Sequence, residues 1–170
     1  MGDDYYNQIA PSYDELHGEE QKRKAALILE NLEVRQSDAL LDVGCGTAKY
    51  LSMFPCNKIG IDPSAELLKQ ASIPVVLGVA EQLPFPDKAF DIVLSLTALH
   101  HCANVQKAVS EMKRVARRDI VISVLRKAIY FALIEQAITS QLNVYKRVEE
   151  LHDTIFFAKA GAETVFGGGS

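Results

Sequence analysis

Apolar residues in this chain fall into short unbroken runs separated by polar or amphipathic stretches. Runs at about 39–43, 57–61, 75–77, 90–95 and 119–124 read as strands. They are continuous rather than alternating, as expected of strands covered on both faces of a parallel sheet. Between them the period changes. Residues 19–32 carry a mixed-charge helical pattern, and a helix is expected from the turn after the first run to about residue 53. Ser64, after Pro63, is placed to cap a helix through Gln70. Residues 104–116 set Val105, Ala108, Val109, Met112 and Val115 at helical spacing. Beyond residue 125, segments 126–142 and 144–160 read as helices, and only Glu163–Phe166 suggests another strand. The alternation predicts a doubly wound, mostly parallel α/β sheet flanked by helices.

Size and charge narrow the reading. A chain of 170 residues with 48% hydrophobic and 24% charged residues fits one globular domain with a substantial core. The net charge of −4 gives no global reason to bind nucleic acid or an anionic membrane. A local basic patch at Lys113, Arg114, Arg117 and Arg118 reads first as a solvated helix end. Three cysteines without a C-x-x-C pair argue against a disulfide framework and a zinc site. No apolar run reaches the ~18 residues of a membrane span, and no leader of secretory type is visible. A cytoplasmic protein is expected.

The chemistry concentrates where strands end. Leu40-Leu41-Asp42-Val43-Gly44-Cys45-Gly46 is an apolar strand closing on an acid and a glycine-rich turn. Gly44 and Gly46 let the backbone approach a polar ligand closely. A second strand ends at Asp62, twenty residues on, where a carboxylate can grip both hydroxyls of a ribose. A dinucleotide fingerprint counted from Gly44 needs a glycine at position 49, which is Lys49. Asp42 would also repel a pyrophosphate. A cationic, phosphate-free nucleoside such as S-adenosylmethionine suits this loop better than NAD.

These motifs, taken in order from about Tyr5 to Arg118, resemble the class I S-adenosylmethionine-dependent methyltransferases, in the broad group that includes the ubiquinone/menaquinone-biosynthesis enzymes. The resemblance implies a Rossmann-like fold over residues 1–170, with residues 1–18 as an N-terminal lid whose Tyr5 and Tyr13 close over cofactor and acceptor. It implies a cofactor site of Asp42, Gly44, Cys45, Gly46, Asp62 and Pro63, with Asp42 holding the methionine amino end and Cys45 serving as packing. Gly78-Val79-Ala80-Glu81 resembles the adenine-wrapping loop. Val79 stands where the family often has Asp, so Ala80 and Glu81 are the expected contacts. A carbonyl near Leu96 would help hold the methionine moiety. His100 and His101 are candidate general bases, weighed against helix capping and packing. No metal site is expected. The family usually finishes with an antiparallel strand pair, which here reads as incomplete.

The product would be S-adenosyl-L-homocysteine and the acceptor a small molecule. Asp42 to Leu51 and Ala98-Leu99-His100-His101 also resemble enzymes that methylate modified wobble uridines of tRNA with a small zinc-containing activator. Such a protein would have a natural berth on the apolar edge at Val75-Val76-Leu77. The third reading, a non-catalytic cofactor-binding module, rests on Val79 and the incomplete strand pair.

Overall fold

The computed structural model describes Gln8 and residues 12–161, the side chains of 13–16 excepted. Among the described residues, seven strands form one sheet: β1 (Ala39–Val43), β2 (Asn57–Asp62), β3 (Val75–Leu77), β4 (Phe90–Leu96), β5 (Ala116–Leu125), β6 (Asn143–Glu149) and β7 (Asp153–Lys159). Their order is β3-β2-β1-β4-β5-β7-β6. The first five are parallel, and β7 runs antiparallel to both β5 and β6. The helices are α1 (Tyr13–Asn31), α2 (Ala65–Leu68), α3 (Val105–Val115) and α4 (Phe131–Gln141), with short 3-10 turns at Lys49–Met53 and Leu99–His101.

The unbroken strand runs have the expected cause. Leu40, Ile92, Leu94, Val121 and Phe157 pack on one face with Ile28 of α1. Their neighbours Leu41, Val93, Ile120 and Phe156 pack on the other with Met112 of α3 and Ile138 of α4. Successive side chains point to opposite faces, and here both faces are core. Helix α3 begins where Asn104 Oδ1 accepts the Lys107 amide at 3.0 Å, and Ser64 Oγ caps α2 through Leu67 N at 3.3 Å.

The C-terminal expectation is corrected. The segment 144–160 holds two strands, not a helix, and the antiparallel pair expected to be incomplete is present as β6 and β7. The run Thr154-Ile155-Phe156-Phe157-Ala158 is buried throughout, because β7 lies between two strands rather than at an edge. Its β-branched and aromatic residues suit a pleated surface better than a helix. Edge strand β6 shows only Val144 and Val148 half-buried among exposed polar neighbours, an apolar spacing of four that also fits a helix. The strand suggested at 163–166 lies outside the described residues. No described helix is long and apolar enough to cross a membrane.

The basic residues at the end of α3 and start of β5 are paired rather than free. Arg117 meets Asp91 at 3.1 Å, Arg118 meets Asp38 at 2.9 Å and Asp119 at 2.6 Å, and Lys113 donates to the Gln141 carbonyl at 2.8 Å. The Arg118 guanidinium holds the Asp38 carboxyl below its ordinary range.

Candidate active site

Strand order reverses between β1 and β4, so the loops leaving their carboxyl ends part and open a crevice, the usual ligand position in such sheets. A cavity of about 570 Å³ lies there. Gly44, Asp62 and Pro63 form one side, Ala80 and Glu81 the next, and Leu96 to Ala98 with His101 the third.

The glycine loop is fastened to β2. Gly44 N and Cys45 N both donate to the Ile61 carbonyl, at 2.8 and 3.1 Å. Gly46 N donates to Asp62 Oδ2 at 2.9 Å, and Ser64 N donates to Asp62 Oδ1 at 2.8 Å. The loop's first three amides are therefore committed within the protein, not gathered into a phosphate nest. Gly44 has φ +77°, and a Cβ there would lie 2.4 Å from Ala98 Cβ. Only glycine lets the loops after β1 and β4 approach this closely.

Asp42 sits apart from the main cavity. It is fully buried; the Tyr50 hydroxyl donates to Oδ2, while Oδ1 has no hydrogen-bond partner among the described residues. Burial pushes its carboxyl up to about 7; the Tyr50 hydrogen bond opposes this shift and the nearby Asp62 charge adds to it. A smaller cavity of about 170 Å³ lies on the α1 side of the loop, touching Gln21, Cys45, Thr47 and Tyr50. Gln21 Oε1, also buried, likewise has no partner. Surplus acceptors beside a loop whose first three amides are already committed fit a cofactor that is cationic and rich in N–H groups better than a pyrophosphate.

The other expected residues divide. Cys45 is packing: its sulfur lies where a Cβ on Gly60 would fall, at 2.4 Å, and burial holds its thiol far above the ordinary range. Glu81 lines the cavity and also accepts the Asn104 amide at 3.1 Å, which ties the loop after β3 to the start of α3. Arg114 fastens the rest of that loop by donating to the Leu83 and Phe85 carbonyls at 3.0 and 2.8 Å. Val79 lines the same wall without a polar group to offer. His101 reaches the cavity, whereas His100 does not line it. Burial lowers the His100 pKa; Asp153 opposes that shift and Lys24 adds to it. Tyr5 and the Tyr13 side chain lie outside the described residues. No metal-ligating cluster of three or more residues occurs among those described.

Sequence reasoning missed Ser95, Thr97 and Asn104 on the cavity wall, and the small cavity behind the loop. Thr97 alone carried a signal, since it follows the strand end at which a ligand is expected.

Comparison with known proteins agrees with this geometry. Residues 41–123 match the methyltransferase domain family. An uncharacterized protein of Methanocaldococcus jannaschii is 38% identical over 121 residues, 68% of this chain and 47% of the relative. The tRNA (carboxymethyluridine(34)-5-O)-methyltransferase of Arabidopsis thaliana is 34% identical over 119 residues, 66% of this chain and 29% of that enzyme. The chain thus spans less than half the length of these curated relatives. Among solved structures, a chain of the complex between the Haloferax volcanii Trm112 methyltransferase activator and a methyltransferase superposes with a TM-score of 0.79 at 15% identity, over 92% of this chain and 98% of that one. That likeness is one of fold. The methyltransferase domain match spans the glycine loop, the Asp62 strand end and strand β4; over residues 41–123 the chain is similar to the methyltransferase domain family.

Proposed function

We propose that this chain transfers the methyl group of S-adenosylmethionine to a small-molecule acceptor. The observation that carries the reading is Asp62: its carboxylate faces the cavity from the tip of β2 while fastened by Gly46 N and Ser64 N. A carboxylate fixed this way is ready to accept both ribose hydroxyls without reorganising. Ala80 and Glu81 would border the adenine, and Leu96 the methionine chain. Asp42 Oδ1 and Gln21 Oε1 supply acceptors for the α-ammonium, directly or through water. The cofactor supplies an activated methyl on a good leaving group, so alignment can provide much of the rate. His101 is the proposed base for an acceptor proton, because it borders the cavity and His100 does not. A small acceptor fits the charge distribution, since the basic cluster near residues 113–118 is internally paired.

Calorimetry with S-adenosylhomocysteine tests the cofactor site. Micromolar binding by wild type that Asp62→Ala weakens supports the reading, and no binding by a folded wild type overturns it. Transfer of a labelled methyl into the small-molecule fraction of a cell extract supports the acceptor class; label found only in macromolecules overturns it.

One set of observations favours a second reading, methylation of a tRNA wobble uridine with an activator partner. Leu77 and Val79 are exposed at and beside the three-residue edge strand β3, at 61% and 45%. The Arabidopsis relative acts on carboxymethyluridine in tRNA, and the Haloferax structure is a complex with an activator. An activator covering β3 would bury this apolar edge and could bring basic surface that the chain lacks. A one-to-one complex with a Trm112-type protein, abolished by Leu77→Asp, together with salt-sensitive tRNA binding, would establish this reading. The non-catalytic alternative loses one of its two grounds, because the β6–β7 pair is present.

A further inference from the structure

Lys24 in α1 is completely buried. Its ammonium donates to Thr97 Oγ1 at 2.6 Å and to Glu20 Oε1, and pairs with Asp153 Oδ2 at 2.8 Å. Asp153, at the start of β7, is also completely buried. Thr97 stands between them: its hydroxyl donates to Asp153 Oδ2 at 2.6 Å and lies 3.1 Å from Ser123 Oγ. With the Lys24 contact, those bonds use the one donor and both acceptor sites of a hydroxyl. Burying a lysine and an aspartate is costly, and apolar residues of similar volume would often stabilise such a site as well. Stability alone is therefore a poor account of the cluster.

Its location offers a better one. Thr97 follows β4 directly, lines the main cavity and holds φ +54°, a left-handed backbone that a β-branched residue rarely adopts. Such a conformation persists where the surroundings over-determine it. Here the Thr97 amide donates to the Ser123 carbonyl at 3.0 Å while the hydroxyl is held as described. The next residue, Ala98, is the one that meets Gly44 of the glycine loop. The Thr97–Ala98 turn thus sets how far the loops after β1 and β4 stand apart.

We propose that Lys24 is a positioning residue of the cofactor site, fixing from α1, through the Thr97 hydroxyl, the turn on which Ala98 meets Gly44. The inference rests on the S-adenosylmethionine reading and deepens it by naming what sets the cleft. It makes the seating of α1 and the affinity for cofactor mutually dependent, since coupling between two sites is reciprocal.

The test measures S-adenosylhomocysteine affinity by calorimetry for the wild type and Thr97 variants. It also follows the Lys24 ammonium by nitrogen-15 NMR. Saturating wild type with S-adenosylhomocysteine should shift the Lys24 ammonium resonance. Thr97→Val, which keeps the shape but not the hydroxyl, should weaken binding about tenfold, and Thr97→Ser should recover most of that loss. Thr97→Gly accepts the left-handed backbone without strain and gives the same comparison should the valine variant not fold. It should also bind weakly, because the hydroxyl is what is lost. A folded Thr97→Gly or Thr97→Val binding within about twofold of wild type, or a Lys24 resonance unmoved at saturation, overturns the proposal. No binding by folded wild type is a different failure: it removes the cofactor reading, and this inference with it.

Discussion

The Asp62 carboxylate accepts the Gly46 amide at 2.9 Å, joining the tip of β2 to the loop that follows β1. One side chain therefore shapes the glycine loop and also faces the cavity where the ribose is proposed to lie. Removing it should do two separable things. Asp62→Ala should weaken S-adenosylhomocysteine binding by about 1–3 kcal/mol, with a smaller loss of stability from the two amides left without their acceptor. Asp62→Asn keeps oxygen for one of those amides and should recover more stability than affinity. Calorimetry and thermal melts on the two variants read these effects independently.

Asp42 makes the ligand-free protein pH-sensitive in an unusual direction. Its folded carboxyl is raised to about 7 from an ordinary 3.8, so the folded state binds the proton more tightly than the unfolded chain. Its contribution to stability is present below pH 3.8 and is lost as pH rises through about 7. Asp42→Asn should flatten that part of the stability–pH curve, measured by denaturant midpoints. The affinity of wild type for S-adenosylhomocysteine should rise as pH passes about 7, because only the ionised carboxyl attracts an ammonium. In Asp42→Asn that rise should vanish.

Gly44 tests the closeness of the two loops. Gly44→Ala places a methyl 2.4 Å from Ala98 Cβ and fixes an alanine at φ +77°. We expect a loss of about 1–3 kcal/mol in stability, accompanied by weaker cofactor binding. Adding Ala98→Gly should return the part due to the contact but not the part due to the backbone, and a double-mutant cycle separates them.

Arg114 anchors the loop that borders the expected adenine. Arg114→Met removes donors to the Leu83 and Phe85 carbonyls and to Glu111. The side chain is 31% exposed, so solvent replaces some of what is lost and a cost of about 1–2 kcal/mol is expected. Amide hydrogen exchange should show the protection of residues 81–87 falling while that of β4 and β5 is retained.

Local pattern revealed the parts of this fold that local pattern determines. Strands β1, β4 and β5 and helix α3 are legible because unbroken apolar runs and a 3.6 period have few other meanings. Asp62 and the glycine loop were legible because a strand end, an acid and a turn lie within a few residues of one another. Strands β6 and β7 were not, since their role depends on pairing with β5, and Val144 and Val148 fit a helix face equally well. The Lys24 cluster was hidden for a related reason. Lys24 and Thr97 are 73 residues apart and Thr97 and Asp153 56, so nothing in any one segment marks them as partners. Asp42 stands beside the glycine loop in the sequence, yet its full burial behind that loop is a property of the assembled sheet.

The insertion of β7 between β5 and β6 has a consequence for how this protein is made. Asp119 of β5 pairs opposite Lys159 of β7, so the free side of β5 is closed by a strand synthesised forty residues later. Until those residues leave the ribosome, β5 presents a bare, almost wholly apolar margin from Ile120 to Val124. The nascent chain is therefore most adhesive just before β7 emerges, when a neighbouring polysome could supply the missing strand. Fragments ending ahead of β7 should collect in the insoluble fraction even though the cofactor loop and all five parallel strands have already been translated.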